Sequence, residues 1–366
     1  MTALRGLRVL DGSTLLSAPQ ISAILADFGA EVVKIEPSGG DPLRQFGADA
    51  SERDRLWKYV NRGKVIRSTD LETPAGRSEL WKWLGWADVV VFNSPPAVLE
   101  RWGVGWGQVH AALPDLIVAV VSCYGAEGPC ATLQGNGTLA EAFGGLTDLT
   151  GEAHGPPMLT SIPLGDTLTA MSGVIGVLTA SMARHLGNAG GQFVDIAMYE
   201  PILQLLGPVI AEWDGSGEPP KRRGNRLPDI PLRNLYRCSD DKWIAVSATT
   251  DRQAHKLLKL AGFSDLEGVA SVGDRIARAD ELEHSVCRWA DGHESDAALR
   301  LLEQAHVTAS PVLDLAQIAA HPHVRARGSL YRANGTFRVA ATPRLSQTRG
   351  DSSGDVRVVD ELAARD

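Results

Sequence analysis

Residues 116–121 read Leu116-Ile117-Val118-Ala119-Val120-Val121, six apolar side chains in a row with no polar alternation. A strand with one wet face alternates, so an unbroken apolar run marks a strand covered on both faces, as in a parallel sheet flanked by helices. Asp88-Val89-Val90-Val91-Phe92 has the same character. Upstream, Leu7-Arg8-Val9-Leu10-Asp11 and Glu31-Val32-Val33-Lys34-Ile35-Glu36 read as strands, separated by a helical pattern from Pro19 to Phe28 that Gly29 closes. Thr73 to Ala87 is a predicted helix with Pro74 in its first turn, and Gln192 to Ala197 is a further predicted strand. This β-α-β alternation predicts an α/β chain whose large domain is Rossmann-like with a parallel sheet.

At 366 residues the chain has room for two bodies. Residues 214–224 concentrate Pro, Gly and charge, the composition of a linker. The predicted organisation is a large domain over 1–213, a linker over 214–233, a small α+β domain over 234–318, and a C-terminal segment, 319–366, returning to the large domain. Within the small domain, Asn234 to Ala248 reads as a hairpin turning at Ser239-Asp240-Asp241, followed by helical patterns to about His306.

A net charge of −8 argues against a nucleic-acid binder, which needs a basic face. The four cysteines lack metal-ligand spacing, so neither a metal site nor a disulfide framework is predicted. The N-terminus runs straight into a strand with no signal-peptide core, and the expectation is a reduced, cytoplasmic protein. Leu164 to Ala183 is apolar enough to test as a membrane span. It is short, carries Asp166 and is rich in small residues, so a buried core helix is expected and no membrane partner.

The chemistry concentrates in Pro163-Leu164-Gly165-Asp166-Thr167-Leu168-Thr169-Ala170-Met171-Ser172-Gly173. One carboxylate opens a long apolar segment, with small residues at Ala170, Gly173, Gly176 and Ala180 about a turn apart. From spacing alone this is an N-cap aspartate on a buried helix, stabilised as an anion by free N–H groups. Other signatures fail. Gly350-Asp351-Ser352-Ser353-Gly354 spells a nucleophile elbow, but no strong strand precedes it and no apolar helix follows. No phosphate-binding P-loop is present, because Arg62-Gly63-Lys64-Val65 lacks the upstream glycine and the Ser/Thr.

Several blocks in order give a stronger signal. They are Gly6-Leu7-Arg8-Val9-Leu10-Asp11, then Leu25-Ala26-Asp27-Phe28-Gly29-Ala30-Glu31-Val32-Val33-Lys34-Ile35-Glu36-Pro37, then Asn61-Arg62-Gly63-Lys64, Cys123-Tyr124-Gly125 with Gly128-Pro129, Pro163-Leu164-Gly165-Asp166, and Gly191-Gln192-Phe193-Val194-Asp195. Together they resemble the family III CoA-transferases, a group that includes formyl-CoA, carnitine and bile-acid CoA-transferases and the α-methylacyl-CoA racemases. The resemblance implies an interlinked-ring homodimer and an acyl-CoA:carboxylate CoA-transferase with coenzyme A as cosubstrate, requiring no further cofactor or metal. It implies Asp166 as nucleophile, forming an aspartyl mixed anhydride and then an aspartyl-CoA thioester. It also implies Lys64 and Arg101 near the nucleotide phosphates, Asn93 as a CoA-binding residue opening the loop before Arg101, and Leu16-Ser17-Ala18 against the pantetheine arm, with Leu16 and Ala18 as the contacts.

The chain departs from the family pattern in several places: Val65 replaces the basic residue that commonly follows the Lys64 position, the small domain shows no Gly-rich lid, and two motifs differ. The usual Asn-Phe-x-Pro-Gly is Asn93-Ser94-Pro95-Pro96-Ala97, and Gly135-Asn136-Gly137 stands where relatives show Gly-Tyr/Phe-Asp or, in racemases, Gly-His-Asp. Two alternatives stand beside transfer. An α-methylacyl-CoA racemase or epimerase needs a second titrating group, which Asn136 cannot be. A non-catalytic CoA-binding subunit of a hetero-oligomeric transferase would explain the altered loops, though it leaves the retained Asp166 unexplained.

Overall fold

A computed structural model describes residues 2–227, 229–333 and 335–359, which divide into two compact units. The larger comprises the described residues within 1–147, 159–219 and 326–366, the smaller those within 148–158 and 220–325. Residues 148–158, expected in the large domain, therefore belong with the small one.

The large unit is built on seven parallel strands: β1 (Arg8–Asp11), β2 (Glu31–Glu36), β3 (Lys64–Ser68), β4 (Val89–Phe92), β5 (Ile117–Ser122), β6 (Phe193–Ala197) and the final β12 (Arg357–Val358). Their spatial order is β12-β3-β2-β1-β4-β5-β6. Strands β1 to β6 follow the 3-2-1-4-5-6 order of doubly wound α/β sheets, in which the strand order reverses between β1 and β4. Side chains leave the sheet alternately. Val9, Val32, Val89, Val91, Ile117, Ala119 and Val121 pack on one face with Ile21 and Leu25 of the helix Ser17–Asp27 and with Ala170 and Val177 of the helix Leu164–His185. Leu10, Val33, Val90, Phe92, Val118 and Val120 fill the other face with Leu80, Leu84, Leu99 and Val109. Both faces are dry, which is why the strands show no polar alternation. Each buried Val or Leu contributes about 1.5–3 kcal/mol.

The helix Leu164–His185 is only half of what was expected. Gly165, Thr169, Ala170, Gly173, Val177 and Ala180 are buried, but Met171, Ile175 and Met182 are 54%, 66% and 55% exposed. Its small residues have a steric cause. A Cβ on Gly173 would lie 2.3 Å from Ile21 Cδ1, so the two helices meet at contact distance only because that atom is missing. Length and hydropathy alone would let this helix cross a membrane. Its packed face lies against the sheet instead.

The large unit also carries a two-stranded hairpin, β10 (Leu330–Ala333) with β11 (Thr336–Val339). Ser352, from the elbow-like tail sequence, is buried beside it, donating to the Val339 carbonyl at 2.6 Å and touching the Tyr331 hydroxyl at 2.9 Å. That hydroxyl is a structural bridge.

The small unit is an antiparallel sheet of β7 (Arg233–Arg237), β8 (Trp243–Ser247) and β9 (Ala309–Pro311), with β7 and β8 forming the expected hairpin. Three amphipathic helices, Asp251–Leu260, Ala279–Asp291 and Ser295–Gln304, close its core through Leu257, Leu282, Val286 and Leu302. The buried Glu283 carboxylate accepts from the Leu232 N–H, Asn234 Nδ2 and the Tyr236 hydroxyl.

Candidate functional site

The segment after β1 enters the crevice where the strand order reverses, the place where doubly wound sheets bind ligands. Asp11, at the strand end, accepts from the Ser13 N–H (3.0 Å), Ser13 Oγ (2.5 Å), Ser22 Oγ (2.6 Å) and Lys64 Nζ (2.7 Å). Lys34 donates to the Ser13 carbonyl and pairs with Asp41 at 3.1 Å. Asp41 in turn accepts from the N–H groups of Leu15 (3.1 Å) and Leu43 (2.9 Å). Asn93, just past β4, accepts from the Thr14 N–H at 3.0 Å and donates to the Thr14 carbonyl at 2.8 Å. The loop is thus gripped from three sides. That grip holds Leu15 at φ +69°, a left-handed conformation that costs an ordinary residue about 1–2 kcal/mol.

This loop delivers the buried Ser17 to the start of the helix Ser17–Asp27, where its side chain stands beside Asp166 and favours the ionised carboxylate. Asp166 itself sits in the first turn of its helix, not at the cap; Pro163 holds that position and supplies no side-chain acceptor. An anion there is favoured by its own backbone N–H and the helix dipole. The opposing influences are stronger. Burial first, then the negative charge of Glu141, push the Asp166 carboxyl up to about 6, against the Ser17 side chain and its own backbone N–H. At neutral pH it remains mostly ionised yet poorly compensated, a carboxylate with more basic character than a solvated one.

Gly137 forms the floor. A Cβ there would fall 2.1 Å from Asp166 Oδ2, so the carboxylate occupies the space that any other side chain would take. The preceding Asn136 caps the helix Gly137–Phe143, its Oδ1 accepting from the Leu139 N–H at 3.2 Å. The residue that departs from the family pattern therefore has a structural task. One helical turn on, Glu141 is buried, accepting from the Gly165 N–H at 2.9 Å and from Thr160 Oγ1 at 2.8 Å.

The family model for CoA-transferase family III matches residues 4–355. The chain belongs to that family. This family III chain is 33% identical to succinyl-CoA–D-citramalate CoA-transferase of Chloroflexus aurantiacus, covering 94% of this chain and 88% of that one. It is 31% identical to the alpha subunit of succinyl-CoA–L-malate CoA-transferase of the same organism, over 95% of this chain and 84% of that one. In three dimensions it is similar to a CaiB/BaiF family protein from Brucella suis, with a TM-score of 0.85, 27% identity, and 97% and 95% of the two chains covered.

The family III chain brings together some of its expected ligand residues and not others. Asn93 stands at the crevice as the clamp on Thr14, while Leu16 packs against Leu43, Trp57, Val60 and Ile66. Lys64 is a correction. It is fully buried, and its three ammonium protons go to Asp11, the Pro19 carbonyl (2.7 Å) and Asn61 Oδ1 (3.0 Å), leaving none for a phosphate. Ala18 is a second correction, since it has no exposed surface and packs in the sheet-helix core. Arg101 stands in a separate surface cluster, paired at 2.9 Å with Glu72, which also accepts from Trp102 Nε1. Glu141 and Gly137 went unassigned from sequence, and Ser17, expected against the pantetheine arm, stands beside Asp166. The pattern offered one hint, a lone acid in the otherwise small and apolar run from Gly137 to Phe143. Among the described residues, no group of three or more His, Cys, Asp or Glu is placed to hold a metal.

Proposed function

We propose that the protein transfers CoA from an acyl-CoA thioester to a carboxylic acid with Asp166 as nucleophile. The observation that supports this most is a half-buried, under-compensated carboxylate at a helix start, seated over Gly137 and aligned by Ser17. An Asp166 oxygen attacks the thioester carbonyl, forming the mixed anhydride and expelling CoA thiolate. The thiolate attacks the aspartyl carbonyl, forming the aspartyl-CoA thioester and releasing the donor acid as carboxylate. The acceptor carboxylate attacks that thioester, again expelling thiolate, and a new mixed anhydride forms. Thiolate attack on the acceptor's acyl carbon then releases acyl-CoA and restores the Asp166 carboxylate. No proton is consumed, and the thioester is exchanged rather than hydrolysed. The positive end of the helix dipole at the first turn favours the oxyanions that develop at each step.

Racemisation fits less well. It requires a second acid/base group facing the α-carbon. Asn136 caps a helix and does not titrate, while both Glu141 oxygens already have hydrogen-bond partners. For the cosubstrate's phosphates, Arg101 in its surface cluster is an exposed cation able to exchange Glu72 for a phosphate, and Leu16 is the residue assigned to the pantetheine arm. The relatives' names point to succinyl-CoA as the first donor to assay, with a dicarboxylate as acceptor. The exposed apolar row of Met171, Ile175 and Met182 supports a second copy as the partner that covers this face.

The test is CoA exchange between thioester and carboxylate panels, followed by mass spectrometry. Wild type exchanges; Asp166→Ala falls by about 10⁴-fold or more. Comparable rates in the two proteins would refute the assignment.

A further inference from the structure

We infer that Glu141 is a positioning residue for the Asp166 nucleophile, clamping the turn that carries it while keeping an uncompensated negative charge beside it. The inference rests on Asp166 being the acylated group. Glu141 belongs to the helix Gly137–Phe143 and is 3% exposed. One oxygen holds the N–H of Gly165, the residue directly before Asp166, and the other holds Thr160, in the segment leading to that turn. Gly165 leaves it no slack: a Cβ there would lie 3.1 Å from Glu141 Cγ and 2.8 Å from the Gly137 carbonyl oxygen.

No cation answers this charge in its hydrogen-bond set, which consists of a backbone amide and a hydroxyl. Other groups on the elements packed against the Asp166 helix are accounted for. Ser17 presents a neutral hydroxyl. Cys123, past β5, is a thiol that burial pushes up and so keeps neutral. Asp27 is engaged by Arg62 at 2.6 Å, Asp195 by the Ala126 N–H at 2.8 Å, and Glu200 is exposed. Glu141 is therefore the charge that Asp166 feels.

The consequence is specific to covalent catalysis. Resting Asp166 is an anion facing an anion. In the mixed anhydride and in the CoA thioester it is a neutral acyl group, and the repulsion is gone. Glu141 thus raises the free nucleophile relative to both intermediates, while its clamp keeps the carboxylate aimed.

Glutamine isolates the charge. Its carbonyl oxygen can accept from Gly165, and its amide can donate to the Thr160 hydroxyl, whose own proton then serves the Ile162 carbonyl at 2.8 Å. The experiment is pH-resolved carbodiimide labelling of Asp166, read on its peptide by mass spectrometry, in wild type and Glu141→Gln. The protonation midpoint is expected to be about 6 in wild type and to drop by about 1 pH unit in the variant, with the fold intact. The steady-state amount of aspartyl-CoA adduct on incubation with succinyl-CoA is expected to fall several-fold. An unchanged midpoint overturns the inference, as does a wild-type midpoint near the ordinary 3.8, which needs no variant. Labelling reports the proton whether or not Asp166 is ever acylated. A shifted midpoint with no adduct in either protein would instead sink the nucleophile assignment and the catalytic role inferred for Glu141, leaving only the electrostatic coupling.

Discussion

Asp11 and Asp166 are both buried wholly or in part in the same unit, yet their settings are opposite. Burial would raise Asp11, but the ammonium groups of Lys34 and Lys64 more than offset it and hold the carboxyl well below the usual range. Asp166 has no such cation; burial and Glu141 both push it up. Asp11 spends its charge on holding the loop at the crevice. Asp166, the proposed nucleophile, has no cation to spend its charge on. The lesson is that burial alone assigns no role to an acid: the neighbours' charge decides between scaffold and reagent.

Removing a cation from the scaffold pair should have the larger effect on stability. Lys64→Met leaves Asp11 partly uncompensated inside the sheet, and such a break costs about 3–5 kcal/mol. Urea denaturation should show it as a lowered midpoint with an unchanged slope. A loss under about 1 kcal/mol would mean that Lys34 alone suffices.

The reagent should behave in the opposite sense. Because the folded state binds the Asp166 proton more tightly than the unfolded chain does, ionising it costs stability. That stability is present below 3.8 and is lost as pH rises through about 6. Asp166→Asn escapes this cost and should be more stable than wild type by up to about 3 kcal/mol near neutral pH, with little difference near pH 3.5. Denaturation at both pH values checks the sign. A variant less stable than wild type at neutral pH would put Asp166 with the scaffold acids.

A steric change sharpens the comparison further. Gly137→Ala places a methyl where Asp166 Oδ2 now lies, so the carboxylate must move. A displacement of about 1 Å is expected to lower kcat/KM by about 10²-fold. Steady-state kinetics on the folded variant measures it, and wild-type activity would show the floor to be slack.

How much of this was legible in the residues follows from the same physics. Strands β4 and β5 announce themselves because both faces are apolar, and β1, β2 and β6 because short apolar runs stand beside turn or helix signals. Strand β3 does not, since Lys64 and Arg67 interrupt it, and Lys64 is inside because Asp11 lies 53 positions earlier in the chain. No local pattern reports such a partner. The same limit hid Glu141, whose meaning depends on Gly165 and Thr160 arriving from the next segment. Asp166 was visible through its helix start and its sequence neighbours. The buried states of Lys64 and Ala18 were not, because a basic or small residue at a family position looks the same whether it faces ligand or core.

The most direct measurement is peptide-level trapping. Wild-type protein incubated with succinyl-CoA and quenched with hydroxylamine should yield a hydroxamate on Asp166 and on no other acid. A modified acid elsewhere, or turnover with Asp166 untouched, would contradict the account.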